Sequence, residues 1–279
     1  MTYRPFLQVN VFSTDPLLGN PLAVVLDADG LTDARMAAFA RWTNLSETTF
    51  ISKPDDPRAD YRVRIFTTLG ELPFAGHPTL GSCHAWLAKG GVPKDGEIVQ
   101  QCGIGLVRIR HDASGLAFEA PPLQRDGPLE PALRERVRAG LGVAVDDLLD
   151  AQWVDNGPPW LALRLRSRAA VLALRPDYAA LDGLMVGAFA ACGEGDAVDA
   201  AFESRAFIAG EAAPEDPVTG SLNAGIARWL VREGGAPERY VISQGTVLGR
   251  AGRVQVERVG DALWIGGACV TCIEGSVRL

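Results

Sequence analysis

The chain has 279 residues, of which 47% are hydrophobic and 22% charged, with a formal net charge of -7. That size and balance suit two globular domains and exclude a disordered chain. The acidity excludes a broad basic face for nucleic acid, no run approaches the roughly 20 apolar residues of a membrane helix, and the start lacks a signal-peptide pattern, so a cytoplasmic protein with neither membrane nor nucleic-acid partner is expected.

Strand patterns at residues 6–12 and 21–26 flank a turn containing Asp15, Pro16, Gly19 and Asn20. Thr32 is placed to cap a helix over residues 33–43, with Met36, Phe39 and Ala40 on its apolar face. Ser46 to Ile51 reads as a strand entry, and Tyr61, Val63 and Ile65 alternate with arginines as in a half-buried strand. A loop from Glu71 to Thr79 then opens a helix reaching about Lys89, stopped by Gly90-Gly91. Strands follow near 97–101, 104–110 and 115–119. The polar, proline-rich stretch from Ala120 to Pro131 reads as a linker. Beyond it, strands are expected near 151–154, 160–166 and 170–174, a helix near 177–184, and a strand at 200–208 entering a loop at 211–217. A helix over 220–233 ends at Gly234-Gly235, and strands near 239–244, 253–258, 262–268 and 271–278 complete the chain. The expected lobes are residues 1–122 and 130–279, an arrangement that allows the final strand to cross back to the first lobe.

The halves correspond in letters as well as in order. His84-Ala85-Trp86-Leu87-Ala88-Lys89-Gly90-Gly91 is matched by Ala227-Arg228-Trp229-Leu230-Val231-Arg232-Glu233-Gly234-Gly235, with one inserted residue. Duplication is the simplest account. Neither Pro78 to Ala88 nor Pro217 to Ala227 contains a charged residue. A helix without charge over three turns is surrounded by protein. The expected fold is therefore α+β, with a central helix wrapped by strands in each lobe.

Candidate chemistry lies where those helices begin. Gly76 lets a ligand approach backbone at a helix amino end, where unsatisfied N–H groups and a partial positive charge collect. His77 beside it suits proton transfer and suits capping equally well. At the second helix, Asp216 precedes Thr219, Gly220 and Ser221; the threonine and serine are able to cap, and the Gly220 and Ser221 amides to cradle an anion. Glu47 stands where a helix gives way to an apolar strand. Two such helix ends are expected to share one pocket. The 5 cysteines are odd in number and fit reduced thiols. Cys269 and Cys272 lack the further ligands a zinc site requires, so no metal is expected. Gly103-Ile104-Gly105 lacks the third glycine of a dinucleotide fingerprint. Leu80, Cys83, His84 and Leu87 share one helical face, which reads as packing.

Several stretches in order carry a family resemblance: Val9-Asn10-Val11-Phe12, Gly19-Asn20-Pro21-Leu22-Ala23-Val24, Asn44 to Phe50, Arg64-Ile65-Phe66-Thr67, Glu71 to Thr79, Glu215 to Ser221, and Gln244-Gly245 before Gly249-Arg250. Along nearly its whole length the chain resembles the phenazine-biosynthesis, or PhzF-like, isomerases. The resemblance implies the fold of diaminopimelate epimerase: two pseudo-symmetric lobes, each a strand barrel around a central helix. It implies a homodimer, no cofactor, and a small anionic or carboxylate-bearing substrate in the interlobe cleft. It makes Glu47 the general acid/base, assisted by His77 and Asp216, with Gly76, Thr219, Gly220 and Ser221 holding the substrate. Two departures stand out. The paired cysteines of related racemases align with Ala75 and Pro217, which argues against two-thiol chemistry. Leu222 replaces a small alanine after Ser221, which either narrows the pocket or is absorbed by packing. A metabolite-binding protein without catalysis and an epimerase-like enzyme acting on an amino acid are the alternatives.

Overall fold

The computed structural model describes residues 2–113, 115–210 and 214–279. Two compact units divide them: one spans residues up to Glu119 together with Gly266–Leu279, the other Ala120–Ile265.

In the first unit, β1 (Tyr3–Val11) pairs antiparallel with β2 (Asn20–Val25). α1 (Asp33–Thr43) follows, its start capped by the Thr32 hydroxyl on the Arg35 N–H. Asn44 takes the left-handed conformation at φ 55, its N–H bonding the Ala40 carbonyl, and turns the chain into β3 (Glu47–Ser52). Asparagine is among the few side chains that tolerate this backbone. β3 runs parallel to β2 and antiparallel to β4 (Tyr61–Phe66). The two-residue β5 (Glu71–Leu72) also pairs with β4 and leads into α2 (Gly76–Ala88). β6 (Ile98–Cys102) lies parallel to β4, followed by antiparallel β7 (Gly105–Asp112) and β8 (Gly115–Glu119). α2 touches β1, β2, β3, β4 and β8, and residues 76–83 are all buried.

The second unit opens with β9 (Arg125–Pro128) and α3 (Pro131–Gly140), then β10 (Leu148–Asp155), β11 (Trp160–Leu165), α4 (Arg168–Ala173), β12 (Met185–Ala191), β13 (Phe202–Ile208), β14 (Glu215–Asp216) and α5 (Gly220–Glu233). β15 (Arg239–Gln244), β16 (Gly252–Val259) and β17 (Ala262–Gly267) follow. The last strand, β18 (Cys269–Arg278), pairs antiparallel with β1 and belongs to the first unit.

Strand pairing in the second unit repeats that of the first, step for step. β10–β11 is antiparallel, β11–β12 parallel across a helix, β12–β13 antiparallel, β13–β14 a two-residue antiparallel pair, and β13–β15 parallel across a buried helix. A side-chain motif repeats with it. Arg64 in β4 forks onto Glu71 in β5 at 2.8 and 2.5 Å, with its guanidinium 5.2 Å from the Phe66 ring centroid. Arg205 in β13 forks onto Glu215 in β14 at 2.8 and 2.8 Å, 4.9 Å from the Phe207 centroid.

Three expectations are corrected. The stretch from Ala120 to Pro131 is no free linker: β9 pairs with β10, and the Ala120 N–H bonds the Leu263 carbonyl. α3 starts directly after it, with Pro131 in its first turn and Leu133, Val137 and Leu141 facing the core at helical spacing. Residues 170–174 lie in α4 and its end rather than in a strand, because Ser167 caps the Ala170 N–H and starts a turn of helix. Residues 177–184 form no helix: the Asp177 carboxylate takes the Ala179 and Ala180 N–H groups into a turn, and Gly183 at φ 75 ends it. β12 follows, buried on both faces and rich in alanine and glycine, so it lacks the alternation by which strands are recognised. Of the loop expected at 211–217, residues 211–213 lie outside the described residues.

Candidate active site

Each unit presents a set of functional groups at the amino end of its buried helix. In the first, Glu47 is the first residue of β3, opposite Leu22 of β2, and is 9% exposed. Its position is pinned on both sides. Thr48 shares a 2.8 Å hydroxyl contact with Thr43 at the end of α1, and Thr49 accepts a bond from Ser82 of α2 at 2.9 Å. His77, the second residue of α2, is 2% exposed. Its Nε2 lies 3.3 Å from Glu47 Oε2, and its Nδ1 lies 3.3 Å from the Asn20 amide nitrogen. Burial pushes His77 down to about 3, so the imidazole is neutral at physiological pH. The head of α2 is held by the chain Tyr61 hydroxyl to Gln100, Gln100 to Thr79, and Thr79 to the Ala75 carbonyl, at 3.1, 3.1 and 2.9 Å. Ala75 occupies the capping position without a side chain able to cap, and the first turn holds no acid.

In the second unit, Asp216 in β14 is 5% exposed and accepts the Thr219 hydroxyl at 2.5 Å. Gln244, at the end of β15 and 1% exposed, is the hub behind that pair. Its amide oxygen accepts from the Thr219 N–H at 2.9 Å, from Asn223 at 2.7 Å and from the Ser204 hydroxyl at 3.3 Å. Its amide nitrogen donates to the Asp216 carbonyl and the Thr219 hydroxyl, each at 3.0 Å. Ser221 is fastened by Trp160 Nε1 on its hydroxyl at 3.0 Å and by Asn156 on its carbonyl at 2.8 Å. Thr219, at the capping position of α5, makes no side-chain cap bond of its own, and the first turn also lacks an acid. The expectation that Thr219 and Ser221 cap this helix is thus corrected: their hydroxyls are engaged with Asp216, Gln244 and Trp160 instead.

The structure brings Glu47 and His77 together in one unit, and Asp216, Thr219, Gly220 and Ser221 together in the other. It also revises the internal matching. Aligning Gly76 with Gly220 places Pro73 on Pro217, Gly81 on Gly225, His77 on Ser221, and Leu72 on Asp216. His77 and Asp216 are therefore not equivalent, and the counterpart of Ala75 is Thr219 rather than Pro217. None of the three is a thiol. Leu222 is absorbed by packing: it is fully buried, and a Cβ added to Gly187 of β12 would sit 2.4 Å from its methyl group. Two supporting residues were quoted in the sequence motifs without a role, Asn20 and Gln244. Their signal was a buried amide at one end of a strand.

Comparison with known proteins follows the same lines. The family model for phenazine biosynthesis-like proteins, PhzC-PhzF, matches residues 9–275. A Schizosaccharomyces pombe protein called antisense-enhancing sequence 1 is 37% identical, with 99% of each chain covered. The trans-2,3-dihydro-3-hydroxyanthranilate isomerase of Pseudomonas aeruginosa is 33% identical over 98% of this chain and 99% of its own. Among solved structures, a PhzF-family protein of Enterococcus faecalis superposes with a TM-score of 0.79 at 25% identity, covering 100% of both chains. A hydroxyproline epimerase of Agrobacterium vitis shares the fold at a TM-score of 0.59 and 13% identity, over 99% of this chain and 91% of that one.

Proposed function

Because the chain belongs to the phenazine biosynthesis-like, PhzC-PhzF, family of isomerases, we propose that it shifts a proton within a small carboxylate-bearing substrate, without a cofactor, using Glu47 as the general acid/base. The observation that carries this reading is the nearly buried Glu47 carboxylate 3.3 Å from a neutral, buried His77 at an uncapped helix amino end. A carboxylate withdrawn from water beside a neutral imidazole is suited to take a proton from carbon and return it to another atom. In the first unit, charge that develops during transfer is suited to the amide at Gly76, and preorganised donors of this kind contribute about 3–4 kcal/mol each when aligned. In the second unit, Asp216, held in place by Thr219 and Gln244, together with the amides at Gly220 and Ser221, is proposed as the assisting and substrate-holding group. The repeated strand pairing and the two buried helices support a duplicated plan of strands around a central helix. A homodimer is part of the same proposal and is tested by native mass spectrometry.

The relatives named as isomerases of a dihydro-hydroxyanthranilate make that compound and other cyclic unsaturated carboxylates the first substrates to offer. The experiment is turnover in deuterated water, with product analysed for the position of the label. Site-specific solvent deuterium in an isomerised product, lost in Glu47→Gln, is the expected result. Wild-type turnover by Glu47→Gln defeats the assignment of Glu47; a ligand bound tightly and never converted defeats catalysis altogether.

A further inference from the structure

We propose that Asn20 is a positioning residue that locks His77 in the Nε2–H tautomer, so that the imidazole turns an N–H, and never a second basic nitrogen, toward the Glu47 carboxylate. The proposal rests on the isomerase reading for its consequence, but on geometry for its content. A neutral imidazole has one N–H and one acceptor nitrogen, and the bond made by one nitrogen decides the role of the other. The Asn20 amide nitrogen, which only donates, stands 3.3 Å from His77 Nδ1. Nδ1 is therefore the acceptor, and the ring proton sits on Nε2. That nitrogen faces Glu47 Oε2 at 3.3 Å. The opposite tautomer would set the Nε2 lone pair against a carboxylate oxygen, with both groups almost sealed from water.

Asn20 is delivered to this place by a constrained loop. Phe12 and Leu17 both hold positive φ, 68 and 74, a conformation that non-glycine residues keep only where surrounding contacts impose it. The contacts are present. Asn10 donates to the carbonyls of Ser13 and Asp15 at 3.1 and 3.2 Å and accepts the Gly19 N–H at 2.8 Å. The Phe12 N–H bonds the Ala268 carbonyl at 2.7 Å. Gly19 itself has no room for a side chain, since a Cβ there would lie 2.1 Å from the Val11 carbonyl oxygen. Asn20 is fully buried, so its amide has little freedom once the loop is formed. In the second unit the corresponding tripeptide is Gly157-Pro158-Pro159: proline stands where Asn20 does, and the matched Ser221 has no ring to orient.

The test is nitrogen NMR of protein labelled at histidine. The chain holds 3 histidines, so His77→Gln assigns the signal by its disappearance. The expected wild-type spectrum shows a protonated Nε2 and an unprotonated Nδ1 from pH 5 to 8. Asn20→Asp replaces a donor with an acceptor and should move the ring proton to Nδ1 or charge the ring, with kcat falling about 10²–10⁴-fold and KM changing far less, as when a catalytic histidine is held in the wrong tautomer. If Asn20→Asp does not fold, Asn20→Ala decides by the same spectra, with a mixed tautomer population expected. A wild-type Nδ1–H, or an unchanged Nε2–H tautomer in the variant, overturns the proposal. The tautomer is read without substrate, so correct tautomers in a protein that turns over no carboxylate would sink the isomerase reading and leave this one standing.

Discussion

The heads of α2 and α5 share a backbone plan and differ in chemistry. Both follow a two-residue strand braced by an Arg–Glu fork, both begin with glycine, and both lack a side-chain cap. At α2 the groups nearest the helix end are Glu47 and His77, two titratable side chains in contact. At α5 they belong to a hydrogen-bonded network in which Gln244 alone makes five hydrogen bonds to Asp216, Thr219, Asn223 and Ser204. A buried hydrogen-bonded network rigidifies its surroundings, whereas at α2 a buried carboxylate meets a neutral ring. The same backbone plan thus carries different side-chain chemistry in the two units.

The sharpest way to break this contrast is to remove the proton carrier. Glu47→Gln should lower kcat by about 10²–10⁴-fold, the usual contribution of a positioned acid/base group, with an unchanged circular dichroism spectrum. Gln244→Ala, on the holding side, should act through stability as well as activity, lowering the urea midpoint because it strands several buried partners.

The two Arg–Glu forks differ in burial, which separates their expected costs. The Arg205 and Glu215 side chains are 4% and 11% exposed, against 22% and 41% for Arg64 and Glu71. Arg205→Met should cost about 3–5 kcal/mol, since it leaves a buried carboxylate without its partner. Arg64→Met should cost about 1 kcal/mol or less, as for ion pairs reached by water. Equilibrium denaturation of the two variants measures both, and equal costs would show that burial is not what distinguishes them.

The matched glycines inside the helices give a smaller effect with a sign of its own. A Cβ at Gly225 meets the Val154 carbonyl oxygen at 2.6 Å, whereas one at Gly81 meets a Leu22 methyl at 2.5 Å. Backbone cannot step aside as a leucine rotamer can. Gly225→Ala should therefore lower stability by about 1–3 kcal/mol, the usual cost of overpacking, and Gly81→Ala by less.

A separate effect, spread over several pH units, is in the pH dependence of stability. His77 is lowered to about 3 from 6.5, so the unfolded chain binds a proton over that interval that the folded chain does not. The contribution of neutral His77 is fully present above pH 6.5 and is lost as pH falls from there toward 3. Its slope approaches about 1.4 kcal/mol per pH unit at most, and should vanish in His77→Gln when denaturation is followed between pH 6.5 and 4.

The elements most legible in the sequence were those with local punctuation. Thr32 and Asn44 bracket α1, Gly234 stops α5, and the charge-free runs after Pro78 and Pro217 announced helices that are indeed buried. Where local signals were short or absent, reading failed: α4 is six residues long, and β12 has no polar face to reveal its period. The site divided in the same way. Glu47, His77 and Asp216 stood out as acid/base types at element boundaries, while Asn20 and Gln244 did not, because an amide has no chemistry of its own until a neighbour is placed against it.

By itself, the sequence determined which segments must be buried, where α1, α2 and α5 begin and end, and which residues are of acid/base type, because propensity, capping and hydrophobic period act over a few residues. Only the tertiary structure decided that Glu47 meets His77, that Asn20 sets the face of the ring, that Thr219 serves Asp216 rather than its own helix, and that Leu222 fills the space above Gly187. Those contacts join residues that the chain separates by as many as 57 positions, or that compete for the same hydroxyl. Which partner wins is fixed by the register of paired strands and by the need to satisfy every buried polar group, and neither is a property of any short stretch of sequence.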